Sequence, residues 1–194
     1  MSELHAVAHR MVEKGKGILA ADESTPTCSK RFESISTEST ASSRNYYRNL
    51  LFTSKGIEKF ISGVILFDET FHQSELKTGQ KFPEYLSNLG ILPGIKVDQG
   101  LEDFADGEKL TKGLDGLSER LNNYYSHGAR FAKWRAVINI GENLPSADCI
   151  EANANSLAKY ALACQQSNLV PIVEPEVLMD GSHTIDQSFD ATSK

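Results

Sequence analysis

At 194 residues the chain is long enough for one substantial hydrophobic core or two small domains. Its 20 basic and 26 acidic residues give a formal charge of -6, which leaves no overall basic footprint, so no nucleic-acid partner is expected. No apolar run approaches a membrane span, and residues 1–17 are amphipathic and mixed in charge rather than built like a secretory signal; a cytoplasmic protein with no membrane partner is predicted. Cys28, Cys149 and Cys164 are odd in number and widely spaced, which is neither a disulfide framework nor a zinc pattern. They are expected to stay reduced, with Cys149 and Cys164 packing as small apolar groups. His5 and His9 have helical spacing, but with no third ligand type nearby they read as a solvated helix face rather than a metal site.

Residues 3–14 carry apolar and charged positions at a helical period, and Gly15 ends them. Gly17-Ile18-Leu19-Ala20-Ala21-Asp22-Glu23-Ser24 is a short apolar run ending in charge, the pattern of a buried strand whose last residues emerge into a site. The hydroxyl-rich turn Ser24-Thr25-Pro26-Thr27 is placed to cap a helix beginning near Cys28 and to offer backbone N–H groups to an anion. Residues 42–53 are a second helical pattern, which carries Arg44 and Arg48. The strand design recurs in Ser62-Gly63-Val64-Ile65-Leu66-Phe67-Asp68-Glu69-Thr70, with a short helical segment over 83–89 behind it. A third run is Gly94-Ile95-Lys96-Val97-Asp98-Gln99-Gly100, and Lys96 and Asp98 share a face. Residues 101–113 read as polar loop, after which Leu114, Leu117, Leu121 and Tyr124 mark a helix that ends at Gly128.

The fourth run, Arg130-Phe131-Ala132-Lys133-Trp134-Arg135-Ala136-Val137-Ile138, is apolar enough for a buried strand yet places Lys133 and Arg135 on one face. Pro145 marks a helix start, and Ile150, Ala154, Leu157, Ala161 and Cys164 form its apolar stripe. In the fifth run, Leu169-Val170-Pro171-Ile172-Val173-Glu174-Pro175-Glu176, one face carries Val170, Ile172, Glu174 and Glu176. Gly90 to Gly94 and Gly113 to Gly116 are read as turns.

Strands alternating with helices at these spacings suit a parallel sheet, either doubly wound and open or part of a (β/α)₈ barrel. An open sheet binds ligand at one crevice, whereas every strand end of a barrel faces one mouth. All five runs end in chemistry: Asp22, Asp68, Lys96 with Asp98, Lys133 with Arg135, and Glu174 with Glu176. We therefore expect residues 1–194 to form a single partial domain, an incomplete TIM barrel of about five βα units.

If the ends converge, a lysine among cations and apolar walls is expected to have a lowered pKa and to serve as a nucleophile or acid/base, with carboxylates as proton partners. The cations and the Ser24 turn suit an anionic substrate, most simply a sugar phosphate. The alternative is a non-catalytic ion-pair network at the rim.

Six blocks, in order, resemble class I fructose-bisphosphate aldolases. They are Gly15-Lys16-Gly17-Ile18-Leu19-Ala20-Ala21-Asp22-Glu23-Ser24, Gly63-Val64-Ile65-Leu66-Phe67, Gly94-Ile95-Lys96-Val97-Asp98, Gly113-Leu114-Asp115-Gly116-Leu117-Ser118-Glu119-Arg120, Phe131-Ala132-Lys133-Trp134-Arg135 and Val170-Pro171-Ile172-Val173-Glu174-Pro175-Glu176. The resemblance implies a glycolytic lyase that cleaves fructose 1,6-bisphosphate into dihydroxyacetone phosphate and glyceraldehyde 3-phosphate through a lysine Schiff base, with no cofactor or metal, in a homo-tetramer. By the same resemblance Asp22 helps deprotonate the C4 hydroxyl, Glu174 is the acid/base of Schiff-base formation, Lys133 stabilises charge beside it, and Glu176 completes the carboxylate pair. Lys96, Ser24, Thr27 and Arg135 match substrate-holding positions, and Arg31 and Arg44 match arginines at the phosphate rim. Pro26 and Thr27 stand where glycine and serine often occur in the family.

The family's Schiff-base lysine lies on a sixth strand, which does not appear before Lys194, and Lys133 is not expected to replace it. About three quarters of a barrel of roughly 250 residues is represented, so a truncated chain with open edges on its first and fifth strands is expected. The alternative function is a catalytically inactive fragment acting as a phosphate-binding or protein-interaction module.

Overall fold

The sheet is built by apolar segments too short for helices and flanked by turn residues, and the computed structural model describes residues 2–105 and 107–194. Helix α1 (Glu3–Met11) is capped by the Ser2 hydroxyl, which accepts from the His5 N–H, and it buries Val7 and Met11. It ends before the predicted residue 14, and the chain reverses at Gly15 with φ +84°, a value that favours glycine. Strand β1 (Gly17–Ala21) leads into α2 (Thr25–Glu33). That helix begins three residues earlier than expected, so Ser24 is its N-cap and Pro26 lies in its first turn, where a missing N–H leaves no bond unmade.

Helix α3 (Ala41–Phe52) has a capping box between Thr40 and Ser43. Strand β2 (Ile61–Leu66) is followed at once by the short α4 (Asp68–His72) and then α5 (Phe82–Asn88). Asp68 therefore opens a helix instead of ending a strand, which corrects the sequence reading. Strand β3 (Leu92–Lys96) starts earlier than expected. The predicted loop over 101–113 contains a small antiparallel hairpin, β4 (Leu101–Asp103) with β5 (Lys109–Thr111), and its position Asp106 lies outside the described residues. Next come α6 (Leu117–Ser126), β6 (Phe131–Ile138), α7 (Ala147–Gln166), β7 (Val170–Val177) and α8 (Ile185–Ser193).

The main sheet is parallel, ordered β1-β2-β3-β6-β7, and curls as a half-barrel. Strands β1 and β7 are its outer members among the described residues, and β7 accommodates Pro171 and Pro175 because an edge strand can spare N–H donors. Helices pack on the convex face around Val64, Leu66, Ile95, Trp134 and Tyr160, with the Trp134 and Tyr160 rings 5.5 Å apart.

The concave face has two halves. Toward the strand N-termini, Ile65, Leu92 and Phe131 pack with Ile18, Val170 and Ile172, and α1 covers them with Val7 and Met11. Gly94 lies inside β3 rather than in the expected turn, and it must be glycine because a Cβ there would come within 2.2 Å of the Phe131 ring. Gly63 on the next strand faces the same ring, at 2.9 Å from a would-be Cβ. The aromatic side chain thus fills the floor only where two neighbouring strands lack side chains. Toward the strand C-termini the same face becomes charged.

Candidate active site

Period-two alternation carries the floor residues into the site: from Phe131 the next inward positions on β6 are Lys133 and Arg135. Lys96 on β3 lies directly opposite Lys133 in the parallel register, and Arg135 lies opposite Glu174 on β7. Two neighbouring ammonium groups repel unless each has its own anion. Lys96 Nζ donates to Asp98 Oδ1 at 2.7 Å, while Lys133 Nζ donates to Asp22 Oδ2 at 3.1 Å and lies 3.2 Å from Glu174 Oε1. Arg135 Nη1 stands 3.1 Å from Glu176 Oε2, in ion-pair contact without hydrogen-bond alignment.

These contacts line or border an open cavity of about 790 Å³ at the C-terminal ends of the strands. Asp22, Ser24, Thr27, Arg31, Lys96, Lys133 and Arg135 line it, and Glu174 and Glu176 stand behind it against Lys133 and Arg135. The Ser24 side chain makes no cap bond to the helix; its hydroxyl lies 3.1 Å from that of Thr27. Arg44 is elsewhere. It forms a fork on Glu69, with Nε to Oε1 at 2.7 Å and Nη2 to Oε2 at 2.6 Å, and donates to the Ser39 carbonyl, outside the cavity lining.

Electrostatics overturn one expectation. Burial by itself would pull the Lys133 ammonium down, but the Asp22 and Glu174 carboxylates outweigh it and hold its pKa above the ordinary lysine range. Lys133 is therefore a charged hydrogen-bond donor at neutral pH, not a free amine. Burial pushes the Cys149 thiol up to about 11 and the Cys164 thiol up to about 12, so both remain protonated at neutral pH. Among the described residues no three His, Cys, Asp or Glu side chains converge as metal ligands.

Sequence reasoning missed several residues around the cavity. Glu23 lines it and binds Arg31, Arg48 and Tyr47. Arg120 reaches back from α6 to the Val97 carbonyl at 2.8 Å and to the Gly113 carbonyl, which ties the loop after β3. Tyr124, which also lines the cavity, donates to Asp68 Oδ1 at 2.6 Å. The i, i+4 spacing of Arg44 and Arg48, with Glu23 and Glu69 directly after Asp22 and Asp68, was the available signal.

The family model for glycolytic class I fructose-bisphosphate aldolase matches residues 3–194. The chain belongs to the class I fructose-bisphosphate aldolases. It is 54% identical over 194 residues to a probable fructose-bisphosphate aldolase class 1 of Xanthomonas campestris, covering 99% of this chain and 58% of that aldolase. It is 52% identical to the cytosolic fructose-bisphosphate aldolase 4 of Arabidopsis thaliana, covering 99% of this chain and 49% of the relative. A solved aldolase from Plasmodium falciparum, in complex with TRAP and a small-molecule inhibitor, superposes with a TM-score of 0.91 at 53% identity, covering 95% of this chain and 54% of that one. The chain thus spans about half the length of these aldolases.

Proposed function

We propose that these residues supply the sugar-phosphate-binding and acid/base half of an aldolase site that cleaves fructose 1,6-bisphosphate into dihydroxyacetone phosphate and glyceraldehyde 3-phosphate. The observation that carries this reading is Lys133 held between Asp22 and Glu174, 3.1 and 3.2 Å away. A fixed ammonium between two carboxylates stabilises negative charge that develops beside it and holds both carboxylates in place for proton transfer. Asp22 is assigned to the C4 hydroxyl, Glu174 to proton transfer in Schiff-base formation, and Glu176 to holding Arg135. Lys96, Arg135, Arg31, Ser24 and Thr27 surround the anionic substrate. Arg44 is assigned a place on the outer rim, where its fork on Glu69 supports α3.

Both cavity lysines are ion-paired, Lys96 with Asp98 and Lys133 with Asp22. The Schiff-base lysine is accordingly assigned to a sixth strand outside these 194 residues. A test combines this chain with the segment of the Xanthomonas campestris relative that it does not match. Cleavage of fructose 1,6-bisphosphate is expected, with the borohydride-trapped adduct on the added segment. Turnover by this chain alone would contradict the assignment. A cytoplasmic site of action and a homo-tetramer are the corresponding location and assembly, and sedimentation of the combined protein reads the latter.

The outer strands β1 and β7, each paired on one side among the described residues, favour a second reading, a non-catalytic phosphate-binding or protein-interaction module. Calorimetric binding of fructose 1,6-bisphosphate without turnover in the combined protein would favour it.

A further inference from the structure

Behind Arg31 lies a second charge cluster. Arg48 of α3 is almost fully buried, at 2% side-chain exposure, and donates through Nη1 to Glu23 Oε2 and through Nη2 to the Glu23 carbonyl at 2.9 Å. It also donates to Thr70 Oγ1 at 3.4 Å and Cys28 Sγ at 3.7 Å and lies over the Tyr47 ring, 5.1 Å from its centroid. Arg31, which is 57% exposed, shares the other Glu23 oxygen, Oε1, with the Tyr47 hydroxyl at 3.1 Å. One buried carboxylate therefore holds two guanidiniums. One is locked in the interior, and the other lines the cavity.

A phosphate entering the cavity competes with Glu23 for Arg31. If Arg31 were the sole partner, its departure would leave a carboxylate buried and unpaired, which is a strongly unfavourable state. With Arg48 in place, Glu23 keeps a charge-assisted pair and a hydroxyl donor throughout. We propose that Glu23 and Arg48 are a positioning pair that sets phosphate affinity: Glu23 holds the Arg31 guanidinium against the cavity wall, and Arg48 lowers the penalty for releasing it to a phosphate.

This inference rests on the reading of the cavity as a sugar-phosphate site, and it predicts effects of opposite sign. By calorimetry with fructose 1,6-bisphosphate, Glu23→Gln binds about two- to fivefold more tightly than the parent, because Arg31 is free. Arg48→Gln binds more weakly by about threefold or more, because Glu23 then depends on Arg31 alone. The double variant Glu23→Gln with Arg48→Met leaves no unpaired buried charge, and it binds more tightly than the parent. It keeps the test decisive if Arg48→Gln fails to fold, which circular dichroism reports. A purely structural role for the cluster would weaken binding in all three variants and overturn the proposal. Arg31→Met separates the two levels: if it binds as the parent does, or if the parent does not bind, the phosphate reading fails together with the inference. If Arg31→Met weakens binding but Glu23→Gln does not tighten it, the inference alone fails.

Discussion

The two halves of the concave face use the same strands and the same side-chain period for opposite purposes. At the floor, Phe131 lies on Gly63 and Gly94 under α1, fully buried in an apolar cluster. Two residues further along β6, Lys133 sits among carboxylates, and two further still Arg135 meets Glu176. The floor contributes stability through area removed from water and close packing. The mouth places ions that a stable protein does not need, and each is retained there only because another is within about 3 Å. Fold strength and chemistry are thus separated along the barrel axis by about one strand residue pair.

The largest test of that separation is at the floor. Phe131→Ala is expected to lower stability by about 3–5 kcal/mol in a urea melt, since the ring is fully buried and the cavity it leaves is roofed by strands that cannot collapse. A loss under 1 kcal/mol would show that the floor is not a packing centre. At the mouth, Lys133→Met leaves Asp22 buried without its ammonium, at a cost of about 1–3 kcal/mol. The same variant is expected to abolish proton transfer in the combined protein, which the floor variant, where folded, should not do.

A smaller effect follows from pH. The Lys133 pKa is raised in the fold, so its contribution is fully present below the ordinary lysine value of about 10.4 and is lost as pH rises through the folded value above it. The stability difference between the parent and Lys133→Met should therefore hold constant from neutrality to about pH 10 and shrink only beyond it. A difference that disappears near pH 8 would mean that the two carboxylates do not hold the ammonium. Glu23 behaves in the opposite direction. Burial alone would raise its pKa, but backbone hydrogen bonding and the Arg48 and Arg31 guanidiniums leave it lowered. Its contribution is full above the ordinary carboxylate value of about 4.3 and fades as pH falls below it, which a comparison of the parent with Glu23→Gln in acid would read.

The smallest effect concerns the thiols. Cys149 and Cys164, buried and raised to about 11 and about 12, should resist iodoacetamide at pH 7 in the folded chain and react once urea is added.

The strands were legible because each is a continuous apolar run, and the mouth was legible because every run ends in charge. What escaped were elements whose signals are local or very long-range. The β4–β5 hairpin has three-residue strands and an exposed β4, so no apolar alternation marks it. Helix α4 is only five residues long and starts on Asp68 and Glu69, which suit a first helical turn but also look like the acidic end of a strand. Helix α8 did carry a readable cue, the capping box between Thr184 and Gln187.

Within the site, spacing on a strand predicted that Lys133 and Arg135 share a face, but not that Asp22, 111 residues away, would neutralise Lys133. The expectation of a lowered lysine pKa failed for that reason. Arg44 and Arg48 share one face of α3, and their spacing alone does not say that the first pairs with Glu69 and the second is buried against Glu23. The fold decides it by placing Glu69 beside Arg44, and Glu23 and Thr70 beside Arg48.

The central claim is that Lys133 acts as a paired cation and not as the covalent amine. Incubating the chain with dihydroxyacetone phosphate and borohydride, then mapping adducts by peptide mass, tests it directly. The account predicts no adduct on Lys133 or Lys96, whereas a stoichiometric adduct on Lys133 would contradict it.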